Sequence, residues 1–255
     1  MAIDLDAIRK KLNALQSSTN KTSNLWRPEP GKNQIRIVPY QYNKDNPFSE
    51  LLFHYNVGKR NYLSPMTYGE ADPVLEFADQ LRNTGNSDDF KLAKKLTPKM
   101  RIYVPVIVRG NEGEGVKYWG FGKQVYQELL QFIADPDYGD ITDLKAGRDI
   151  VINFTPGDGP GNYSKTAILV KPNQTPATED SNVADKILNG QVDLFDIYKK
   201  RSYDELKTIL SDWLNGDEGE QSMGQPTTSN QQQAATAGVS STDDIDKAFD
   251  DLFDQ

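Results

Sequence analysis

The sequence predicts an α+β protein, with a β core of barrel or sandwich type decorated by helices and continued into a disordered acidic C-terminal tail. Three observations carry this: six short β-rich runs between Gln34 and Lys171, helical apolar spacing in a few intervals around them, and negative charge gathered at the end of the chain.

Charge settles the layout. The 255 residues sum to a net charge of −8, yet residues 1–215 hold 28 Lys and Arg against 28 Asp and Glu, while residues 216–255 hold nine acids and one lysine. Within the body, residues 1–125 carry 19 basic and 13 acidic side chains and residues 126–215 carry 9 and 15, so the N-terminal half is the half suited to phosphate. A chain of this length can build a real hydrophobic core. The lack of cysteine excludes disulfides, thiolate zinc sites, iron–sulfur clusters and cysteine nucleophiles, and a single histidine, His54, argues against histidine-based metal or triad chemistry. No run nears the roughly 18 apolar residues of a membrane span, and the N-terminus lacks the apolar core of a secretion signal. The expectation is a soluble, intracellular protein with no membrane partner and no cofactor.

The elements follow in order. Residues 4–16 set Leu5, Ile8, Leu12 and Leu15 at helical spacing behind Asp4 as N-cap, with Arg9, Lys10 and Lys11 clustered together. This predicts a basic amphipathic helix, joined to the body by the polar stretch Ser17 to Ser23; the arm, residues 1–23, docks either on its own core or on a neighbouring molecule. In the body, residues 24–215, strands are expected at Gln34 to Tyr40, Leu51 to Val57, Met100 to Arg109, Val116 to Phe121, Asp149 to Phe154 and Thr166 to Lys171. Asp72-Pro73 opens a helix with Val74, Leu75, Phe77, Ala78 and Leu81 on its apolar side, and another follows Lys123 with Val125, Leu129, Phe132 and Ile133. Ser202 and Glu205 form a capping box for a helix over 203–214. Residues 216–241, rich in Gly, Ser, Thr, Gln and Ala, predict a disordered linker, whose r.m.s. reach for about 25 residues is on the order of 25–30 Å. In the tail, residues 242–255, Asp243, Asp244, Asp246, Asp250, Asp251 and Asp254 surround Ile245, Phe249, Leu252 and Phe253, a pattern suited to folding on a partner's groove.

The chemistry that stands out is aromatic side chains interleaved with cations, because binding a single strand requires positive charge for phosphates and π faces for unstacked bases. Lys59, Arg60 and Tyr62 follow the second strand; Lys91, Lys94, Lys95 and Lys99 lead into the third; Lys117, Tyr118, Trp119, Phe121 and Lys123 form a further group. In residues 100–109, Met100, Ile102, Val104, Val106 and Val108 alternate as one apolar face and leave Arg101, Tyr103 and Arg109 on the other. Enzyme signatures fail. Gly157, Gly159 and Gly161 precede no helix and read as a turn, and Asp135, Asp137 and Asp140 lack the glutamate that would complete a calcium loop, Ala146 standing in its place. The alternative to direct DNA binding is a replication-associated adaptor or structural virion protein whose basic face meets protein.

The order of pieces resembles the single-stranded-DNA-binding, helix-destabilising proteins of T-even-type tailed phages. The resemblance runs through the basic arm, Ile35-Arg36-Ile37-Val38-Pro39, His54 with Lys59 to Tyr62, and Asp72-Pro73-Val74. It continues through Lys117-Tyr118-Trp119-Gly120-Phe121-Gly122-Lys123, Gly161-Asn162-Tyr163 and the acidic, aromatic C-terminus. It implies an OB-fold-type β-barrel that binds single-stranded DNA, an arm that supports cooperative self-association through Arg9, Lys10 and Lys11, and a tail that recruits phage replication and recombination proteins. It also implies a role in DNA replication, recombination and repair in the cytoplasm of an infected bacterial host. Tyr118 and Tyr163 fall where the family places DNA-contacting tyrosines, Tyr68 lies near a third such position, and Lys94 and Lys95 resemble the family's basic run. The aromatic expected after that run is replaced by Met100-Arg101, which leaves Tyr103 as its substitute. Some relatives bind zinc through one histidine and three cysteines. Here His54 stands alone against Ser64-Pro65 and Asp72-Pro73-Val74-Leu75, so a zinc-less member is expected, with Met66, Val74, Leu75 and Phe77 packing in the metal's place.

Overall fold

The computed structural model describes residues 24–215 apart from Asn56, Lys59, Pro160 and Gly161. The arm, the linker, the tail and Lys59 therefore lie outside the described residues. In chain order the elements are β1 (Leu25–Trp26), β2 (Gly31–Ile37), β3 (Ser49–His54), β4 (Tyr62–Leu63), α1 (Pro73–Asn83), α2 (Ser87–Leu96), β5 (Lys99–Val108), β6 (Lys117–Phe121), α3 (Lys123–Ala134), β7 (Arg148–Thr155), β8 (Lys165–Gln174), α4 (Ser181–Asn189), α5 (Leu194–Ile197) and α6 (Tyr203–Leu214). The class is mixed α and β, as expected. Among the described residues no helix is long and apolar enough to cross a membrane. The described residues form two compact units, one from those up to Leu51 together with Met100–Lys199, the other from Leu52–Lys99 and the described residues from Lys200 on.

The first unit is built on a sheet in the order β1-β6-β5-β2-β7-β8, whose path among the described residues has two ends and does not close. All neighbours are antiparallel except β1 and β6. The period-two alternation of β5 works as the sequence predicts: Ile102, Val104 and Val106 are fully buried, Arg101 is exposed and Tyr103 half-buried. Ile35 and Ile37 of β2, Trp119 and Phe121 of β6, Ile150 and Ile152 of β7 and Val170 of β8 join them in one core, with Val125 and Leu129 of α3 packed against it. Met100, assigned to the same apolar face, is instead 41 % exposed, because strand alternation matters only where another layer covers it.

Arg36, a charged residue inside β2, is fully buried and held by Asp149 on β7, whose carboxylate also receives Arg109 and Gln34. Arg109, expected on a basic and aromatic surface, is thus committed to Asp149 and to the carbonyls of Pro176 and Ala177. Removing one partner of such a pair leaves an unpaired buried charge, the costly case.

In the second unit Asp72 caps α1, accepting from the backbone N–H groups of Val74 and Leu75 at 3.0 and 3.2 Å, with Pro73 in the first turn where it needs no donor. Val74, Phe77, Ala78 and Leu81 of α1 then pack with Ala93 and Leu96 of α2 and Leu210 of α6. The capping box at the start of α6 forms as predicted, Ser202 and Glu205 each meeting the other's backbone. α2, α4 and α5 are additions to the expected plan.

Candidate nucleic-acid interface

In the second unit, α2 begins at Asn86, whose side chain caps Asp88, and ends on Lys94 and Lys95, so acids sit at its positive end and lysines at its negative end. Helical spacing puts Phe90 and Lys94 on one face. With Arg82 of α1 and Thr97, Pro98 and Lys99 beyond the helix, they line an open cleft of about 360 Å³. The Phe90 ring is 57 % exposed, so a π face is open to solvent beside the lysines of the cleft. Arg82 is fixed by Asp79 and the Thr97 hydroxyl. Lys94, Lys95 and Lys99 are all exposed. Phe90 was not among the sequence candidates; its signal was the Asn86 cap, the two following aspartates and the lysines one and two turns later, which together spell a helix.

The other candidates of this unit lie outside that cleft lining. Arg60 is exposed and Tyr62 half-buried. The half-buried Tyr68 ring carries the Lys200 ammonium 4.6 Å from its centroid, and Lys200 is in turn paired with Glu70.

Behind the cleft, His54 is fully enclosed. Its Nδ1 lies 2.8 Å from the Leu96 carbonyl and its Nε2 2.8 Å from Asp72 Oδ2, so both ring nitrogens face oxygens that accept. Ser64 donates its hydroxyl to the same Asp72 oxygen. Burial works against the Asp72 charge, but the hydrogen bond and charge of His54, the Ser64 hydroxyl and the Leu75 N–H hold its carboxyl below the ordinary range. A zinc ion at His54 would have to displace Asp72 or Leu96, and among the described residues no three His, Cys, Asp or Glu side chains are grouped to hold a metal. The side chains around His54 therefore do not make the four-ligand arrangement of a structural zinc site. The expected apolar substitute is half right: Val74 and Phe77 are fully buried, but Met66 is 42 % exposed and Leu75 half-buried, while the polar trio His54, Asp72 and Ser64 occupies the centre.

In the first unit, Tyr163 stands 82 % exposed in the β7–β8 connection. Gly157 lets that connection fold back, since a Cβ there would lie 2.1 Å from the Asn162 carbonyl oxygen. Lys123 is exposed at the start of α3, where a lysine opposes the helix dipole and adds nothing to helix stability. Lys117 is paired with Glu114 at 3.3 Å. Three aromatic candidates must be corrected. Trp119 and Phe121 belong to the core, Trp119 meeting Trp26 edge-on, and Tyr118 is 1 % exposed with its hydroxyl donated to the Val192 carbonyl. Burial pushes the Tyr118 phenol far up and that of its neighbour Tyr40 to about 12, so both stay protonated. On the same face Arg101 is exposed and donates to the Gly120 carbonyl, while Tyr103 is half-buried and receives a hydrogen bond from the Tyr198 hydroxyl.

Exposed candidates thus occur in both units, Phe90 with Lys94 and Lys99 lining the cleft of the second, Arg101, Lys123 and Tyr163 at separate places in the first. A family model described as gp32 DNA binding protein like matches residues 29–214. No curated protein matches the chain.

Proposed function

We propose, from the premise that the chain belongs to the gp32-like family of DNA-binding proteins, that its body coats single-stranded DNA with little sequence preference. The observation that carries this is the cleft in which the exposed Phe90 ring lies beside Lys94, Lys99 and Arg82. A base stacks on the ring, the cations neutralise the flanking phosphates, and neither interaction reads sequence. The reading assigns the chain no catalytic step.

The strand pairings support an OB-type core. β2 pairs with β5 and β7, β5 with β6, and β7 with β8, while α3 lies between the third and fourth of these five strands. Such a barrel binds oligonucleotides on the face of its second and third strands and with the loop joining its fourth and fifth. Here those are the face of Arg101 and Tyr103 and the connection bearing Tyr163. Cooperative binding through Arg9, Lys10 and Lys11, recruitment of phage replication and recombination proteins through the tail, and a role in replication, recombination and repair inside an infected bacterium complete the proposal on the strength of the sequence resemblance. The same reading makes the chain a zinc-less member: metal analysis of the purified protein should find no stoichiometric zinc, and chelators should leave DNA binding unchanged.

Titration of the intrinsic tyrosine and tryptophan fluorescence with poly-dT tests the central claim. Saturable quenching that weakens with salt is expected. An adaptor or virion component that does not touch DNA would show no saturable change.

A further inference from the structure

On the outward face of β5 and β6 the register sets Tyr103 opposite Gly120 and Pro105 opposite Tyr118. Tyr118 is sealed there by residues 191–194. Gln191 donates to the Pro39 carbonyl at 2.7 Å and accepts from the Gln41 N–H at 2.9 Å, and the Leu194 N–H donates to the Tyr40 hydroxyl at 3.0 Å. With the Tyr118 bond to Val192, these ties fix the segment that carries Tyr198 to Tyr103. The two hydroxyls meet at 2.6 Å, with ring centroids 5.6 Å apart and planes inclined by 56°. Beneath them the glycine is required: a Cβ on Gly120 would lie 2.6 Å from Tyr103 Cε1. The Tyr103 ring therefore rests directly on the β6 backbone. Both rings are half-buried, with Arg101 exposed beside them.

We infer that Tyr103 and Tyr198 form a stepped platform for a base of single-stranded nucleic acid, that Gly120 positions it, and that Tyr118 anchors the segment delivering Tyr198 instead of meeting DNA itself. This rests on the single-strand-binding reading and adds Tyr198 to it. Tyr198 brings the second π face, Tyr103 the first, and Arg101 a cation for the adjoining phosphate.

The experiment uses the full chain with Tyr198→Ala, Gly120→Ala and Tyr198→Phe, titrated against oligo-dT and against an abasic strand of the same length. Truncation of a stacking aromatic predicts affinity for oligo-dT about 5- to 100-fold weaker for Tyr198→Ala and for Gly120→Ala. Little loss is expected on the abasic strand, which keeps phosphates and offers nothing to stack, and Tyr198→Phe should retain most of the affinity. If wild type binds oligo-dT and both alanine variants bind equally well, the platform is wrong and the single-strand reading stands. Equal losses on both strands also overturn it, because a merely structural defect acts that way. If the wild-type chain itself fails to bind oligo-dT, the reading and the platform fall together.

Discussion

At the scale of single residues, the most consequential feature is the enclosed trio of His54, Asp72 and Ser64. Asp72 Oδ1 caps α1 through Val74 and Leu75, and Oδ2 receives His54 and Ser64, so one carboxylate ties a strand, a turn and a helix together. Through the Leu96 carbonyl, His54 also holds the end of α2 just beyond Lys94 and Lys95. Deleting His54 leaves Asp72 with Ser64 and two backbone N–H groups, and deleting Asp72 leaves His54 with the Leu96 carbonyl, each buried and one hydrogen bond short. His54→Ala and Asp72→Ala are each expected to cost at least about 1–3 kcal/mol in urea unfolding. The double variant should cost less than the two together, since both remove the same interaction. The acid response follows from the same chemistry. The carboxyls of Asp72 and of Asp149 are both depressed: burial opposes their charge, and His54 and Ser64 for the first, Arg109, Gln34 and Arg36 for the second, outweigh it. A depressed carboxylate contributes stability that is present above its unfolded value, about pH 4, and is lost as pH falls through the folded value. Unfolding free energy should therefore decline below about pH 4, and Asp149→Asn should flatten that decline in denaturant titrations run from pH 5 to pH 2.

At the scale of elements, α6 is held at its start by a capping box and inward by Leu206 and Leu210. Ser202→Ala should lower stability by about 1 kcal/mol, read as a lower urea midpoint with unchanged slope. α6 was visible in the sequence because cap and apolar period coincide, α1 was visible for the same reason, and α3 through its apolar period alone, Gly122 offering no side-chain cap. The strands of the first unit were visible through alternation, with edges shifted by one to three residues. α2 was not, because Asp88, Asp89, Lys91, Lys94 and Lys95 crowd its ten residues and only Asp89, Ala93 and Leu96 are buried; the Phe90 cleft went unseen with it. β6 misled in the opposite way. Its alternation put Trp119 and Phe121 on one face and Tyr118 on the other, and the second face is covered by residues 74 positions further along the chain. No local pattern reports a cover that distant. The β7–β8 connection is the clearest element-scale test of what was legible, since both its glycine turn and Tyr163 were read from sequence. Gly157→Ala drives a Cβ into the Asn162 carbonyl, so it should displace Tyr163 and reduce the poly-dT quench while leaving the salt dependence unchanged.

At the scale of the whole molecule, charge is segregated along the chain: the first 125 residues hold 19 basic side chains against 13 acidic, and the last 40 hold nine acids and one lysine. The described DNA-facing candidates on α2, β5 and α3 all lie in that first stretch. We propose that the tail, on a linker whose expected reach is on the order of 25–30 Å, competes for these cations. An internal polyanion competes with DNA phosphates for the same cations, and its own binding weakens as salt rises. At low salt the intact protein then binds DNA less tightly than its cations alone would allow, and at high salt the handicap disappears. Deleting residues 216–255 should consequently raise the affinity for single-stranded DNA most at low ionic strength. It should also make the dependence of log affinity on log salt steeper, toward roughly −0.7 per phosphate neutralised. Titrations of the intact and shortened chains at about 50 and about 300 mM salt, roughly one-third and twice physiological ionic strength, decide it. Parallel lines displaced by a constant factor would mean that the tail acts on DNA binding without competing for the cations. Coincident lines would confine the tail to partner proteins, where Phe249, Leu252 and Phe253, and not its aspartates alone, would set the affinity.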